Sequence, residues 1–169
     1  ALADGGVHTM KISIPEFCLV VLVGASGSGK STFASRHFLP TEIVSSDWAR
    51  GLVDDDETSL DATADAFALV HYIAEKRLSR RKLTVIDATN VRPEDRAQLV
   101  RIAKKHHALA VAMVINPPED LCHERNLTRP DRQFGRHVVR NHVRALKRGL
   151  KRLGREGFRY VHELCSVEE

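Results

Sequence analysis

The chain has 169 residues, with 26 Lys and Arg against 22 Asp and Glu, a formal charge of +4. That length suits one domain able to bury its own core. No apolar run nears the roughly 20 residues that span a bilayer, and the first ten residues lack the apolar centre of a signal peptide. Cys18, Cys122 and Cys165 are odd in number and widely spaced, which argues against a disulfide framework or a thiolate metal site and fits a reducing compartment. The expectation is a cytoplasmic protein with no membrane contact. Its mild positive charge is compatible with a polyanionic partner, although ATP alone accounts for part of it.

Residues 1–10 read as an N-terminal tail or expression remnant, with Met10 a candidate natural start, and residues 11–169 as the single domain. Residues 17–23 form an apolar run ending at glycine, the pattern of a buried parallel strand. The run enters GASGSGKST, in which Gly24, four residues, and Gly29-Lys30-Ser31 match the phosphate-binding loop pattern G-x-x-x-x-G-K-[ST]. At ordinary composition those fixed positions coincide by chance about once in 30,000 starts. The chemistry follows from the residue types. Backbone amides of Gly24, Ser26, Gly27, Ser28, Gly29, Lys30, Ser31 and Thr32 turn inward around an anion, with little side chain in the way. The following helix aims its positive end at the same point. Lys30 then reaches the β- and γ-phosphates, and the Ser31 hydroxyl ligates Mg²⁺. The implied cofactors are ATP or another NTP, and Mg²⁺.

A helix over 30–38 ends before Pro40, and a second strand over 42–44 stops at Ser45-Ser46-Asp47-Trp48-Ala49-Arg50. Asp47 at a strand's carboxyl end accepts a proton from a hydroxyl attacking the γ-phosphate. Arg50, three residues on, shares a helical face with it and holds an acceptor phosphate. Alternatively, Ser46 or Asp47 simply caps a short helix. Trp48, the only tryptophan, either stacks on an acceptor base or packs at a rim.

A helix over 62–81 follows, with Phe67, Val70, Ala74 and Leu78 on one face. The third strand, 82–87, ends in Asp87, which supports Mg²⁺ directly or through water; Asp87 or Asn90 otherwise stabilises a turn. Pro93 opens a helix with Leu99, Val100, Ile102 and Ala103 facing inward. A fourth strand covers 108–115. Arg125, Arg129 and Arg132 then recur at helical spacing, as one basic face of a lid over a triphosphate or as a solvated surface; Pro130 ends or bends that helix. The sequon Asn126-Leu127-Thr128 carries no meaning in a cytosolic chain. Residues 134–153 form a last helix with Val139, Val143, Leu146, Leu150 and Leu153 on one stripe. Its opposite face, with Arg136, Arg140, Arg144, Lys147, Arg148, Lys151 and Arg152, meets solvent or a nucleic-acid backbone. Residues 159–165 supply a fifth strand. Alternating strands and helices predict an α/β fold: a P-loop NTPase-like three-layer sandwich with a central parallel sheet of four to five strands, helices on both faces and an Arg-rich helical lid. No histidine falls into a metal-binding pattern.

The ordered set GASGSGKST, SSDWARG, TVIDATN, ERNLTRPDRQ and EGFRYV closely resembles the 5′-kinase module of the bacterial polynucleotide kinase–phosphatase of RNA repair. That module is a member of the P-loop phosphotransferase superfamily. The resemblance covers nearly the whole chain from Met10. It implies ATP-dependent phosphorylation of the 5′-OH ends of RNA or DNA. Lys30 and Ser31 bind phosphates and Mg²⁺, Asp47 is the general base, and Arg50 engages the acceptor phosphodiester, while Trp48 stands where the family tolerates variation. Asp87 supports the metal's water shell, and Arg125, Arg129 and Arg132 clamp the NTP. It also implies fusion, in a longer protein, to a phosphatase and a ligase-like adenylyltransferase. A small-molecule kinase on the same scaffold, or a nucleotide-hydrolysing switch, are the alternatives.

Overall fold

The computed structural model describes residues 11–129 and 135–165. Five strands alternate with six helices: β1 (Cys18–Val23), α1 (Lys30–His37), β2 (Ile43–Ser45), α2 (Ser46–Asp54), α3 (Thr63–Ser79), β3 (Thr84–Asp87), α4 (Pro93–Lys105), β4 (Leu109–Ile115), α5 (Glu119–Leu127), α6 (Arg136–Leu153) and β5 (Tyr160–Leu164). The strands make one sheet in the order β2-β3-β1-β4-β5, with every pairing parallel. Strand β1 lies at its centre with all six residues buried, which is why it reads as a continuous apolar run rather than an alternating one.

Two cores flank the sheet. On one face Leu19, Val21 and Val23 of β1 meet Val70, Ala74 and Leu78 of α3, Leu99 and Ala103 of α4, and Leu146 and Leu153 of α6. On the other, Cys18, Val20 and Leu22 meet Phe33 and Ala34 of α1, and the segment before β1 adds Ile12 and Ile14. This is the expected three-layer α/β sandwich, with the upper count of five strands. Among the described residues no helix is long and apolar enough to cross a membrane.

Helix boundaries shift by one to three residues where local chemistry decides them. Proline at the first position and Glu94 and Asp95 in the first turn start α4. The buried stripe of α3 is Ala66, Val70, Ala74 and Leu78, whereas Phe67, expected on that stripe, is only partly buried. Helix α6 begins at Arg136 after an extended Gly135; the expected start at Phe134 lies outside the described residues.

One buried ion pair pins the site-bearing end of the sheet to the C-terminal segment. Arg96 of α4 is wholly buried. Its Nε and Nη2 donate to Glu156 at 2.7 and 2.8 Å, and its Nη1 donates to the Asn90 carbonyl at 3.0 Å. Gly149 of α6 makes room for this guanidinium, because a Cβ there would lie 2.9 Å from Nη2. Asn90 has a positive φ of 48° and donates from Nδ2 to the Leu22 carbonyl at 2.7 Å. Asn90 therefore stabilises the turn after β3. Replacing Arg96 by methionine leaves Glu156 without its bidentate partner, so stability should fall by about 3 kcal/mol in urea unfolding at pH 7.

Candidate functional site

The parallel register gathers the site at the carboxyl ends of three adjacent strands. Ser45 of β2 pairs with Asp87 of β3, and Val21 of β1 pairs with Ile86. The glycine loop leaving β1, the β2–α2 junction and the end of β3 therefore surround one cavity of about 330 Å³, within the range of small-ligand sites. Ser26, Gly27, Gly29, Lys30, Ser31, Asp47, Arg50, Asp87 and Arg129 all line it.

The loop is held at both ends. The Gly24 amide donates to the Thr89 carbonyl at 2.9 Å, and the Ser31 hydroxyl donates to Asp87 Oδ2 at 2.7 Å. Lys30 is buried, with Nζ donating to the Ala25 carbonyl at 2.8 Å. Gly27 has φ +78°, and a Cβ there would sit 2.3 Å from the Cys122 carbonyl oxygen, so both conformation and space require glycine. Of the remaining loop residues, Ser28 is fully buried and Thr32 is exposed on α1.

Asp47 and Arg50 stand one turn apart on α2. Arg50 Nη1 donates to Asp47 Oδ1 at 2.9 Å. The guanidinium carbon lies 5.9 Å from the centre of the Phe67 ring, and burial lowers the Arg50 pKa. Arg50 Nε is buried without a hydrogen-bond partner, a donor that costs free energy until an acceptor meets it. The cap of this helix is neither Ser46 nor Asp47, as expected, but Ser45, whose hydroxyl accepts from the Trp48 amide at 3.3 Å. Ser45 is the last residue of β2, so its extended backbone already has the cap conformation. Trp48 is 47% exposed and does not line the cavity.

Arg125 and Arg129 do not share the expected basic helical face. Helix α5 ends at Leu127, so Arg125 is helical and Arg129 is not. The sequence supplies the reason: Arg129 precedes Pro130, and a residue before proline is disfavoured in the helical region. Arg125 Nη1 donates to the Ser28 carbonyl at 3.1 Å, gripping the loop, while Arg129 lines the cavity. Arg132 lies outside the described residues.

Two residues at the loop carried no functional signal in the sequence. Asn126, in the sequon, is buried; it accepts from Ser26 Oγ at 3.2 Å and donates from Nδ2 to the Ser26 carbonyl at 3.4 Å. His142 of α6 accepts the Ser26 amide on Nδ1 at 3.3 Å. Burial, reinforced by Lys30, pulls the His142 pKa down to about 4, so the ring is neutral and that nitrogen is an acceptor. Glu57 and Thr58 of the α2–α3 loop, Thr63 of α3, Arg92 before α4 and Asp95 within it add further polar and charged groups to the wall.

The loop, the Ser31–Asp87 pair and the parallel sheet define a P-loop, kinase-like domain. The chain belongs to the AAA domain family AAA_33, whose model matches residues 19–153. No curated protein matches the sequence at a significant level. Among solved structures, a chain of the Pnkp1/Rnl/Hen1 RNA repair complex is 26% identical with a TM-score of 0.69, over 86% of this chain and 49% of that one. The present chain thus spans about half the length of that relative. A putative kinase from Chloroflexus aurantiacus shares the fold at 14% identity and TM-score 0.66, over 92% of this chain and 88% of that one. The Mycobacterium tuberculosis APS kinase CysC, solved with AMPPNP and APS, shares it at 21% identity and TM-score 0.53, over 68% and 71%. The fold and loop imply nucleotide binding.

The neutral His142 has a stability consequence. Its folded pKa of about 4 lies below the unfolded value of 6.5, so its contribution is complete above pH 6.5 and is lost as the pH falls toward 4. Relative to a His142→Gln variant, the wild type should lose on the order of 2 kcal/mol more between pH 7 and pH 4.5, a figure reduced for partial exposure. Urea titrations of both proteins at the two pH values measure the difference.

Proposed function

We propose that the chain is an ATP-dependent polynucleotide 5′-hydroxyl kinase that phosphorylates RNA or DNA ends for repair. The observation that carries this reading is the Asp47–Arg50 pair, which lines the same cavity as the phosphate-binding loop. The likeness to a chain of an RNA repair complex supports the choice of acceptor.

In this reading the loop amides from Gly24 to Thr32 and the Lys30 ammonium bind the triphosphate. The acceptor 5′-oxygen attacks the γ-phosphorus in line. The bond from that phosphorus to the β,γ-bridging oxygen breaks, ADP departs with the electron pair, and the hydroxyl proton passes to the Asp47 carboxylate. Arg50 aims that carboxylate and offers its unpartnered Nε to an acceptor phosphodiester. Trp48 meets the acceptor's base from the exposed side of α2. Arg129 covers the transferring group, and Arg125 fixes the loop that carries the charge.

The residues fit Mg²⁺. Ser31 and Asp87 bring a hydroxyl and a carboxylate oxygen within 2.7 Å of each other, and both are hard donors of the kind this ion takes. Ser31 would bind it directly and Asp87 through water, and the ion held there would supply charge neutralisation for the transferring phosphoryl group.

Incubation with γ-labelled ATP and a 5′-OH oligonucleotide should place the label on the oligonucleotide. Asp47→Ala should lower kcat by at least about 100-fold, within the usual span of general base catalysis, and leave ATP affinity within about twofold. Label released only as free phosphate, or full activity in Asp47→Ala, would overturn the assignment.

A further inference from the structure

Charge in this protein is segregated. Residues 136–159 hold nine of the 26 Lys and Arg but one of the 22 Asp and Glu, leaving 17 cations against 21 carboxylates elsewhere. The single carboxylate, Glu156, is already committed to Arg96. The cavity itself is balanced, with Lys30, Arg50, Arg92 and Arg129 facing Asp47, Glu57, Asp87 and Asp95. A net attraction for a long polyanion must therefore come from outside it.

Helix α6 supplies that attraction. Its first turns line the cavity through Val138 and His142, and from His142 to Leu153 it continues about 16 Å beyond it. Arg144, Lys147, Arg148, Lys151 and Arg152 are all exposed and follow one another at helical spacing. Among the described residues, ion pairs on this helix are confined to Arg136 and Arg140, which reach Asp120 and Glu119 at 3.9 and 4.0 Å. Among the described residues, the cations farther along have no carboxylate within that distance.

We infer that this face of α6 is a docking track for the phosphodiester backbone of a nucleic-acid strand, extending away from the reaction cavity. The chemistry of the face selects that partner. No large apolar residue is exposed between Arg136 and Arg159, so the face lacks the anchors that a protein interface buries. The apolar stripe of α6 is spent in the core, so nothing remains to insert into a lipid surface. Closely spaced cations without apolar partners match a repeating phosphate, and the stretch from Arg144 to Arg152, about 12 Å long, accommodates about three to four stacked nucleotides.

The track deepens the kinase reading and is tested apart from it. A 3′-labelled, 5′-phosphorylated 20-nucleotide single-stranded RNA cannot accept a phosphate, so its anisotropy without ATP reports binding alone. The variant R144Q/K147Q/R148Q/K151Q should bind it at least about tenfold more weakly at 0.1 M salt. If all four side chains touch phosphates, its slope of log affinity against log salt should drop by about 3. Unchanged circular dichroism and ATP affinity establish that the variant is folded. Arg144→Lys with Arg148→Lys should keep the wild-type affinity. Equal binding of wild type and the Gln variant, or equal binding of polyglutamate and RNA, would overturn the track. Label transfer to 5′-OH RNA with no change in binding upholds the kinase and removes the track; weakened binding with no transfer to any oligonucleotide upholds the track and removes the kinase.

Discussion

The hydrogen bond from Ser31 to Asp87 joins the start of α1 to the end of β3, and the whole site is assembled around it. Ser31 follows the glycine loop, and Asp87 closes a four-residue strand whose every side chain is buried. Because β3 lies between β1 and β2 in a parallel sheet, fixing its carboxyl end also fixes the loop on one side and the β2–α2 junction on the other. Phosphoryl transfer needs the donor's phosphates and the acceptor's base held within a few ångströms in a dry, pre-set geometry. A sheet that places the phosphate loop and Asp47 at the ends of the two strands flanking β3 would meet that need with very short connections. Asp47 is only two residues past Ser45, and Ser45 uses its side chain to start the helix that carries Asp47 and Arg50.

The loop is also held from the side opposite the sheet. Helix α5 contributes Arg125, Asn126 and the Cys122 carbonyl, and α6 contributes His142; all four converge on residues 26–28. Backbone amides that would otherwise wait for an anion are therefore partly satisfied in advance, the Ser26 amide by a neutral imidazole. An anion entering the loop must compete with that nitrogen, so loop occupancy and the seating of α6 are energetically linked. The same helix begins just after the segment that carries Arg132.

Much of this was legible in the sequence, because the features that specify the sheet are local. A run of buried apolar residues ending in a glycine-rich turn, Pro93 at a helix start, and Asp87 at a strand end all act over a few residues. Asp47 and Arg50 were legible for the same reason, since a three-residue spacing on a helix is a distance. Arg125 and Arg129 share no helical face because Pro130, expected to end or bend the helix, acts backward on Arg129. Asn126 and His142 were illegible. Each is defined by contact with Ser26 across roughly a hundred positions of chain, and nothing in their own neighbourhoods signals it. The Arg96–Glu156 pair was hidden in the same way, as one ordinary arginine among many.

The distribution of charge follows from these constraints. A phosphoryl-transfer cavity needs carboxylates for proton and metal chemistry beside cations for phosphate, and four of each at its wall leave little net field. Screening further limits the reach of any exposed charge to about 10 Å at ordinary salt. A strand several nucleotides long is therefore not drawn by the cavity alone and must meet positive charge along its own length. Helix α6 is the one described element free of acidic residues over 18 positions, and its first turns are part of the cavity wall. In the proposed kinase, recognition of the reacting end and retention of the remaining strand would fall to different elements: the loop amides and α2 would act at contact distance, and α6 by accumulated charge.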